Sequence, residues 1–252
     1  MRILVTNDDG IMAPGLLALR RALADLGHVD VIAPTMPQSA VGHSITLTDP
    51  IRVHRVDLGG GVVGQGVEGS PADCVKLAVL ELLDAPPDLV ASGVNLGANV
   101  GINVLYSGTV AAAVEGAFFG VPSVAVSIED SDSPDFDGAA RIARHLIDQW
   151  LARANGEATL LNVNVPDLSR GEPKGVRVAG QSLKGWREGW QRRTDPRGRT
   201  YYWMVGDPEQ EDGGTDSDAA ALADGYVTVT PLRFDLTDYG RLDEVGGWNL
   251  VL

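Results

Sequence analysis

The sequence predicts an α/β fold built on a mostly parallel sheet with helices on both faces. Apolar, strand-like runs alternate with helix-like segments of about a dozen residues, which is the pattern of β-α-β units. Several of those runs are continuously apolar rather than alternating, as strands covered on both faces are. Glycine and proline fall at the joints between them. Strands linked in this way run parallel through right-handed crossovers.

Taken in order, "RILVTN" is a β-branched strand ending at Asp8. "PGLLALRRALADLG" repeats apolar residues at helical spacing, with Pro14 near its first turn and Gly27 as its stop. "VDVIAP" is a second buried strand closed by Pro34, and "IRVHRVDL" alternates as a half-exposed strand does. "SPADCVKLAVLELLD" opens a helix with Ser70 at the N-cap, Pro71 at the first helical position and Asp73 in the first turn. "DLVASGVN" is a third buried strand, "GTVAAAVEGAFFG" a third helix and "PSVAVSI" a fourth strand. The helix "FDGAARIARHLIDQWLARA" and the strand "TLLNVNVP" continue the series.

The pattern breaks after Pro166. Between Gly180 and Thr215 the chain carries Trp186, Trp190, Tyr201, Tyr202 and Trp203, more large aromatics than a free surface leaves uncovered. Alternation around "TYYWMVG" predicts a projecting β-hairpin, either an oligomer contact or a flap over a ligand. "GTDSDAAALADGYVTVTPL" then returns to a short helix and a strand. The expected organisation is one domain over residues 1–252: a core at 1–180, the hairpin at 181–215 and a C-terminal helix and strand arm at 216–252.

The chain has 252 residues, 44% hydrophobic and 21% charged, with a formal net charge of −14. That charge argues against a phosphate-neutralising surface, so no nucleic-acid polymer is expected as partner. No window approaches the roughly 20 continuous apolar residues of a membrane span, so no membrane partner is expected. The start of the chain lacks a cleavable signal pattern, and the single Cys74 reads as an inert buried thiol, so the expected location is cytoplasmic. Lysine occurs only at positions 76, 174 and 184. An anion would therefore have to be drawn in by backbone N–H groups or a metal ion.

In an open parallel sheet, ligands bind beyond the carboxyl ends of the strands. Asn7, Asp8, Asp9 and Gly10 follow the first strand; Gln38, Ser39, His43 and Ser44 follow the second; Asn95, Asn99, Asn103, Tyr106, Ser107 and Thr109 follow the third. The adjacent aspartates are the unusual feature. Two carboxylates about 5 Å apart repel by roughly 3 kcal/mol at an effective dielectric near 20. Such a pair is solvated, shares a proton or holds a cation. Ringed by neutral oxygen donors, it suits a hard divalent cation such as Mg²⁺ or Mn²⁺. The loop "GVNLGANVGINVLYSGTV" runs into a helix beginning near Ser107 or Thr109, whose free N–H groups and two hydroxyls suit a phosphate. Among the histidines at 28, 43, 54 and 145, only His43 falls on this edge, as a candidate substrate contact. No GxSxG elbow, HExxH or GxGxxG is present, so serine-hydrolase, zincin and classical dinucleotide-binding readings lack support.

The blocks "ILVTNDDGIMAPG", "APTMPQSAVGHSIT", "SGVNLGANVG", "YSGTVAAAVEG" and "GTDSDAAALADGYVTVTPL" resemble, in this order, the stationary-phase survival protein SurE family. The resemblance implies a Rossmann-like core and a divalent-metal-dependent phosphatase acting on nucleoside monophosphates, a 5′-nucleotidase. It also implies a homodimer or homotetramer assembled through C-terminal oligomerisation elements, with one divalent ion per subunit. By the same resemblance Asp8, Asp9, Ser39 and Asn95 would bind the metal, and Asn95, Asn99, Ser107, Gly108 and Thr109 the phosphate. Asp8 and Asp9 would be the catalytic carboxylates. Ala40 stands where many relatives have glycine. A covalent aspartyl phosphatase separates its two aspartates by one residue and needs a well-placed lysine, neither of which is found. A phospho-receiver module, the non-enzymatic alternative, needs an acceptor aspartate after the third strand, where Asn95 stands.

Overall fold

The computed structural model describes residues 1–153, 159–183, 186–208, 216–248 and 250–251. Eleven strands and six α-helices fall in the described residues, with four short π or 3-10 segments between them. The main sheet has nine strands in the order β3-β4-β2-β1-β5-β6-β7-β11-β8. They are β1 (Arg2–Thr6), β2 (His28–Pro34), β3 (Val53–Gly59), β4 (Val62–Val67), β5 (Leu89–Leu96), β6 (Ser123–Ile128), β7 (Leu160–Val165), β8 (Val176–Val178) and β11 (Val227–Leu232). Its centre is parallel, and only the β3/β4 and β7/β11 pairs are antiparallel.

Both faces are covered, and the side chains of β1 show how. Ile3 and Val5 join one buried cluster with Leu16, Leu19, Ala140 and Ile147, contributed by α1 (Pro14–Leu23) and α4 (Phe136–Leu151). Leu4 points the other way, into a cluster with Cys74, Val75 and Ala112 from α2 (Pro71–Leu77) and α3 (Gly108–Phe118). Alternation on a strand buried on both sides puts an apolar residue at every position, each worth about 1.5–3 kcal/mol when fully buried.

The predicted cap of α2 is present in full. Ser70 Oγ accepts from the Asp73 N–H, and Asp73 Oδ2 accepts from the Ser70 N–H at 2.9 Å. The same carboxylate accepts from the Thr46 N–H and hydroxyl, pinning the loop after β2. The helix expected to reach Asp84 is regular only to Leu77 and continues to Leu82 as a single π-type turn. Cys74 is buried, and burial pushes its thiol well above the usual range.

Strand β4 has no counterpart in the sequence reading. Its "VVGQGV" carries glycine at 64 and 66, which interrupts the apolar pattern. A Cβ at Gly66 would meet the Thr35 side chain at 2.9 Å, so close packing takes precedence over strand propensity there. The hairpin prediction is met by β9 (Trp186–Thr194) and β10 (Thr200–Pro208), an antiparallel ribbon separate from the main sheet. After α5 (Asp218–Ala223), β11 enters the sheet between β7 and β8, and α6 (Leu242–Gly246) ends the described elements. Ala154, expected as the end of the fourth helix, and Thr215, the end of the aromatic segment, lie outside the described residues.

Candidate active site

A cleft of about 740 Å³ opens at the carboxyl edge of β1 and β5. Asp8, Asp9, Ser39, Asn95, Asn99 and Ser107 all line it. Six residues proposed from three separate loops therefore meet in one cavity, with Asn103 and Tyr106 beside them. No lysine, arginine or histidine lines it among the described residues.

The acidic pair is built by the turn after β1. Buried Asn7 takes no part in the lining: its side-chain amide donates to Gly10 O at 3.0 Å, and its oxygen accepts from the Gly10 N–H at 3.2 Å. Gly10, at φ 100°, completes a turn that brings two consecutive aspartates onto one edge. Asp8 is 8% exposed, and its Oδ1 accepts from the Thr109 hydroxyl at 2.5 Å. Burial raises the Asp8 carboxyl above its ordinary range, partly offset by that hydroxyl and by backbone N–H groups of Thr109 and Gly108. Asp9 is raised to about 6 by burial first and by the neighbouring Asp8 charge second, against a weaker opposing bond from the Leu96 backbone.

Gly108 and Thr109 stand behind Asp8 rather than on the cleft wall. A Cβ on Gly108 would lie 2.8 Å from Asp8 Cβ, so only glycine lets the first turn of α3 approach the carboxylate this closely. Ser107 caps α3, its Oγ accepting from the Val110 N–H at 3.1 Å. Asn95 turns its Nδ2 onto Gly97 O at 2.6 Å, which directs its carbonyl oxygen away from that bond. Asn99 donates Nδ2 to Ser127 Oγ at 2.8 Å.

Ser39 lies on the loop after β2, held to the turn after β1 by the Gln38 N–H on Asp8 O at 2.7 Å. Beside it, Ala40 has φ 54°, the only non-glycine in the left-handed region among the described residues. His43, on the same loop, reaches Glu115 Oε2 at 2.7 Å and does not line the cleft. Lys76 approaches the other Glu115 oxygen at 2.7 Å. Burial acts to raise Glu115, but the His43 and Lys76 contacts outweigh it and its carboxyl lies below the ordinary range. His54 pairs with Glu68, His28 with Asp30, and His145 with Gln149, all away from the edge.

Met204, Val205 and Gly206 of β10 also line the cleft, which accords with the flap alternative of the sequence reading, although no particular residue of the hairpin was singled out for it. The ribbon thus reaches over the site of its own chain, while Trp190, Tyr202 and Trp203 stay exposed. Alternation marks a ribbon but carries no information about which surface it overlies.

A doubly wound α/β domain with an acidic, oxygen-lined cleft at its carboxyl edge is the class that this geometry defines. The sequence model described as survival protein SurE matches residues 3–188. The chain is similar to the 5′-nucleotidase SurE of Rhodopirellula baltica, at 49% identity over 99% of each chain. It is also similar to the 5′-nucleotidase SurE of Heliobacterium modesticaldum, at 47% identity over 98% of this chain and 92% of that one. The crystal structure of SurE protein from Aquifex aeolicus superposes with a TM-score of 0.84 at 37% identity, covering 98% of this chain and 99% of the other. The chain belongs to the SurE family.

Proposed function

We propose that the protein is a divalent-metal-dependent phosphomonoesterase that hydrolyses nucleoside monophosphates, a 5′-nucleotidase like the relatives named above. The observation that carries the metal requirement is the cleft itself: two carboxylates line it and, among the described residues, no cationic side chain does. A phosphate dianion entering such a cleft meets like charge unless a cation stands between. The donor set fits one. Two carboxylates, the Ser39 hydroxyl and the Asn95 carbonyl are hard oxygen ligands, and no cluster of three His, Cys, Asp or Glu occurs among the described residues to suggest a softer metal. Asp8, Asp9, Ser39 and Asn95 would hold one Mg²⁺ or Mn²⁺ per subunit. When bound, that ion supplies charge neutralisation at the phosphoryl oxygens and a more acidic water.

The chain's own groups do the rest. Asn95, Asn99 and Ser107 orient the phosphate from the cleft wall. Gly108 and Thr109, proposed by sequence as phosphate ligands, act from behind Asp8 through the positive end of α3, which favours charge that builds up in the transition state. Asp8 is held by Thr109, so Asp9, the more exposed carboxylate, orients the attacking water and takes its proton. His43, a candidate substrate contact by sequence, is held on Glu115 outside the cleft lining, so its part is to fix the loop that carries Ser39. The receiver-module alternative is not favoured, because Asn95 stands near the carboxyl end of β5 where an acceptor aspartate is required.

The protein acts in the cytoplasm as a homodimer or homotetramer, and the assembly is supported by the exposed Trp190, Tyr202 and Trp203 of the ribbon and by Phe234 and Leu236 after β11. Among the described residues no helix is long and apolar enough to cross a membrane. Deleting residues 184–206 is expected to change the mass in light scattering. The test of the activity is phosphate release from a panel of nucleoside monophosphates, with chelator and then with added Mg²⁺ or Mn²⁺. Release that stops on chelation and returns with metal supports the proposal; none under any metal removes it.

A further inference from the structure

The motif "GTDSDAAALADG" has no part in the chemistry above, yet it delivers a fully buried carboxylate. Asp218, first residue of α5, is 0% exposed and, among the described residues, no cation pairs with it. An ionised carboxylate is expensive to bury unless its oxygens are well bonded. Asp218 Oδ2 accepts from the Gly101 N–H at 3.0 Å. Its Oδ1 accepts from the Ser182 and Ala219 N–H groups, each at 2.8 Å. Three chain segments distant in sequence thus meet on one side chain.

Two of those segments bear on the cleft. Gly101 belongs to the loop from Asn99 to Asn103, whose two ends line the cavity. Gln181 grips the same residue from the other side, donating Nε2 to Gly101 O at 2.8 Å. The near end of the loop rests on β7: the Asn99 N–H donates to Asn164 Oδ1 at 2.8 Å, and Asn99 O accepts from Asn162 Nδ2 at 2.7 Å. Ser182 lies just before the ribbon, and the Asp218 N–H returns to Gly180 O at 2.8 Å, closing the root of the ribbon that brings Met204 to Gly206 over the cleft.

We propose that Asp218 is a positioning residue for phosphate recognition: it fixes Gly101, and with it the Asn99 loop, against the root of the β9–β10 ribbon. The inference rests on the phosphatase reading, because it assigns the Asn99 loop to the phosphate. It adds a residue that touches neither metal nor substrate. A carboxylate suits the position because both of its oxygens accept. Asparagine has the same shape but only one accepting end. With the amide oxygen kept on Ser182 and Ala219, its N–H would face the Gly101 N–H and break that tie alone.

The test compares wild-type protein with Asp218→Asn and Gln181→Met, reading nucleoside monophosphate hydrolysis with Mn²⁺ and, independently of turnover, inorganic phosphate affinity by calorimetry. For Asp218→Asn, KM and the phosphate dissociation constant should rise about tenfold, with kcat and the Mn²⁺ concentration for half activation changed by less than about twofold. Gln181→Met removes one neutral hydrogen bond and should move the same two constants by about threefold. Gln181→Met decides alone if Asp218→Asn does not fold. Unchanged phosphate affinity in the folded variants overturns the inference. So does a uniform fall in kcat, phosphate affinity and Mn²⁺ response, which marks a merely structural residue. Absence of turnover in the wild type speaks against the phosphatase reading, whereas the ratio of variant to wild-type phosphate affinity speaks to Asp218.

Discussion

The Thr109 hydroxyl donates to Asp8 Oδ1 across 2.5 Å, tying the first turn of α3 to the end of β1. The bond holds one of two adjacent carboxylates in a fixed orientation and lowers its proton affinity against the effect of burial. Replacing Thr109 by valine keeps the shape and removes the donor. Asp8 should then hold its proton to higher pH, so the acid limb of the pH–rate profile moves upward. The fold should lose only about 1 kcal/mol in denaturant titration. An acid limb that stays in place would remove the role assigned to this bond.

Asp8→Asn and Asp9→Asn each keep the shape of the edge while removing half of its charge. Turnover should fall at least about a thousandfold in either variant, with the circular dichroism spectrum and melting temperature close to wild type. Near-normal turnover in both variants would defeat the mechanism.

Gly108→Ala tests the close approach of α3. The added methyl would sit 2.8 Å from Asp8 Cβ and 3.1 Å from Pro71 Cγ, so helix or strand must shift. Overpacking of this kind costs about 1–3 kcal/mol, and the displaced Asp8 should cost most of the activity as well. Both effects are read from one sample by melting and by phosphate release.

Ala40 tests the opposite case. At φ 54° it pays the steric penalty of the left-handed region, about 1–2 kcal/mol. Ala40→Gly should relieve it and leave the protein up to about 1 kcal/mol more stable after the glycine entropy cost. A loss of stability would mean that the alanine methyl makes a compensating contact.

Metal-free protein should show a pH signature from Asp9. Its folded-state value near 6 exceeds the ordinary 3.8, so the folded state binds the proton more tightly. Stability is then greater below pH 4 on this group's account and declines as pH rises through about 6. Because Asp9 is partly exposed, the change is about 1–2 kcal/mol rather than the full value of the shift. In Asp9→Asn the decline should shrink to the part that Asp8, also raised by burial, contributes.

The sheet was legible because its strands announce themselves locally: Ile3 to Thr6 and Leu89 to Ala91 are apolar or β-branched without a break, and turn residues bound them. β4 was not, since Gly64 and Gly66 are selected by neighbours on β2, β3 and the loop at Ile11. The acidic edge was legible for the same local reason, with Asp8, Asp9 and Gly10 adjacent in the chain. Thr109 was singled out for its hydroxyl, but that the hydroxyl bonds Asp8, 101 residues away, depends on tertiary packing. The support under the Asn99 loop was invisible for that reason too, because Asn162, Asn164 and Asp218 meet it from 63 to 117 residues along the chain.

The central claim is that a cation at Asp8 and Asp9 is what admits the phosphate. Its most direct measurement is calorimetric titration of inorganic phosphate into wild-type protein, once in EDTA and once in excess Mn²⁺. The account predicts saturable binding with Mn²⁺ and none in EDTA. Equal affinity in both would contradict it.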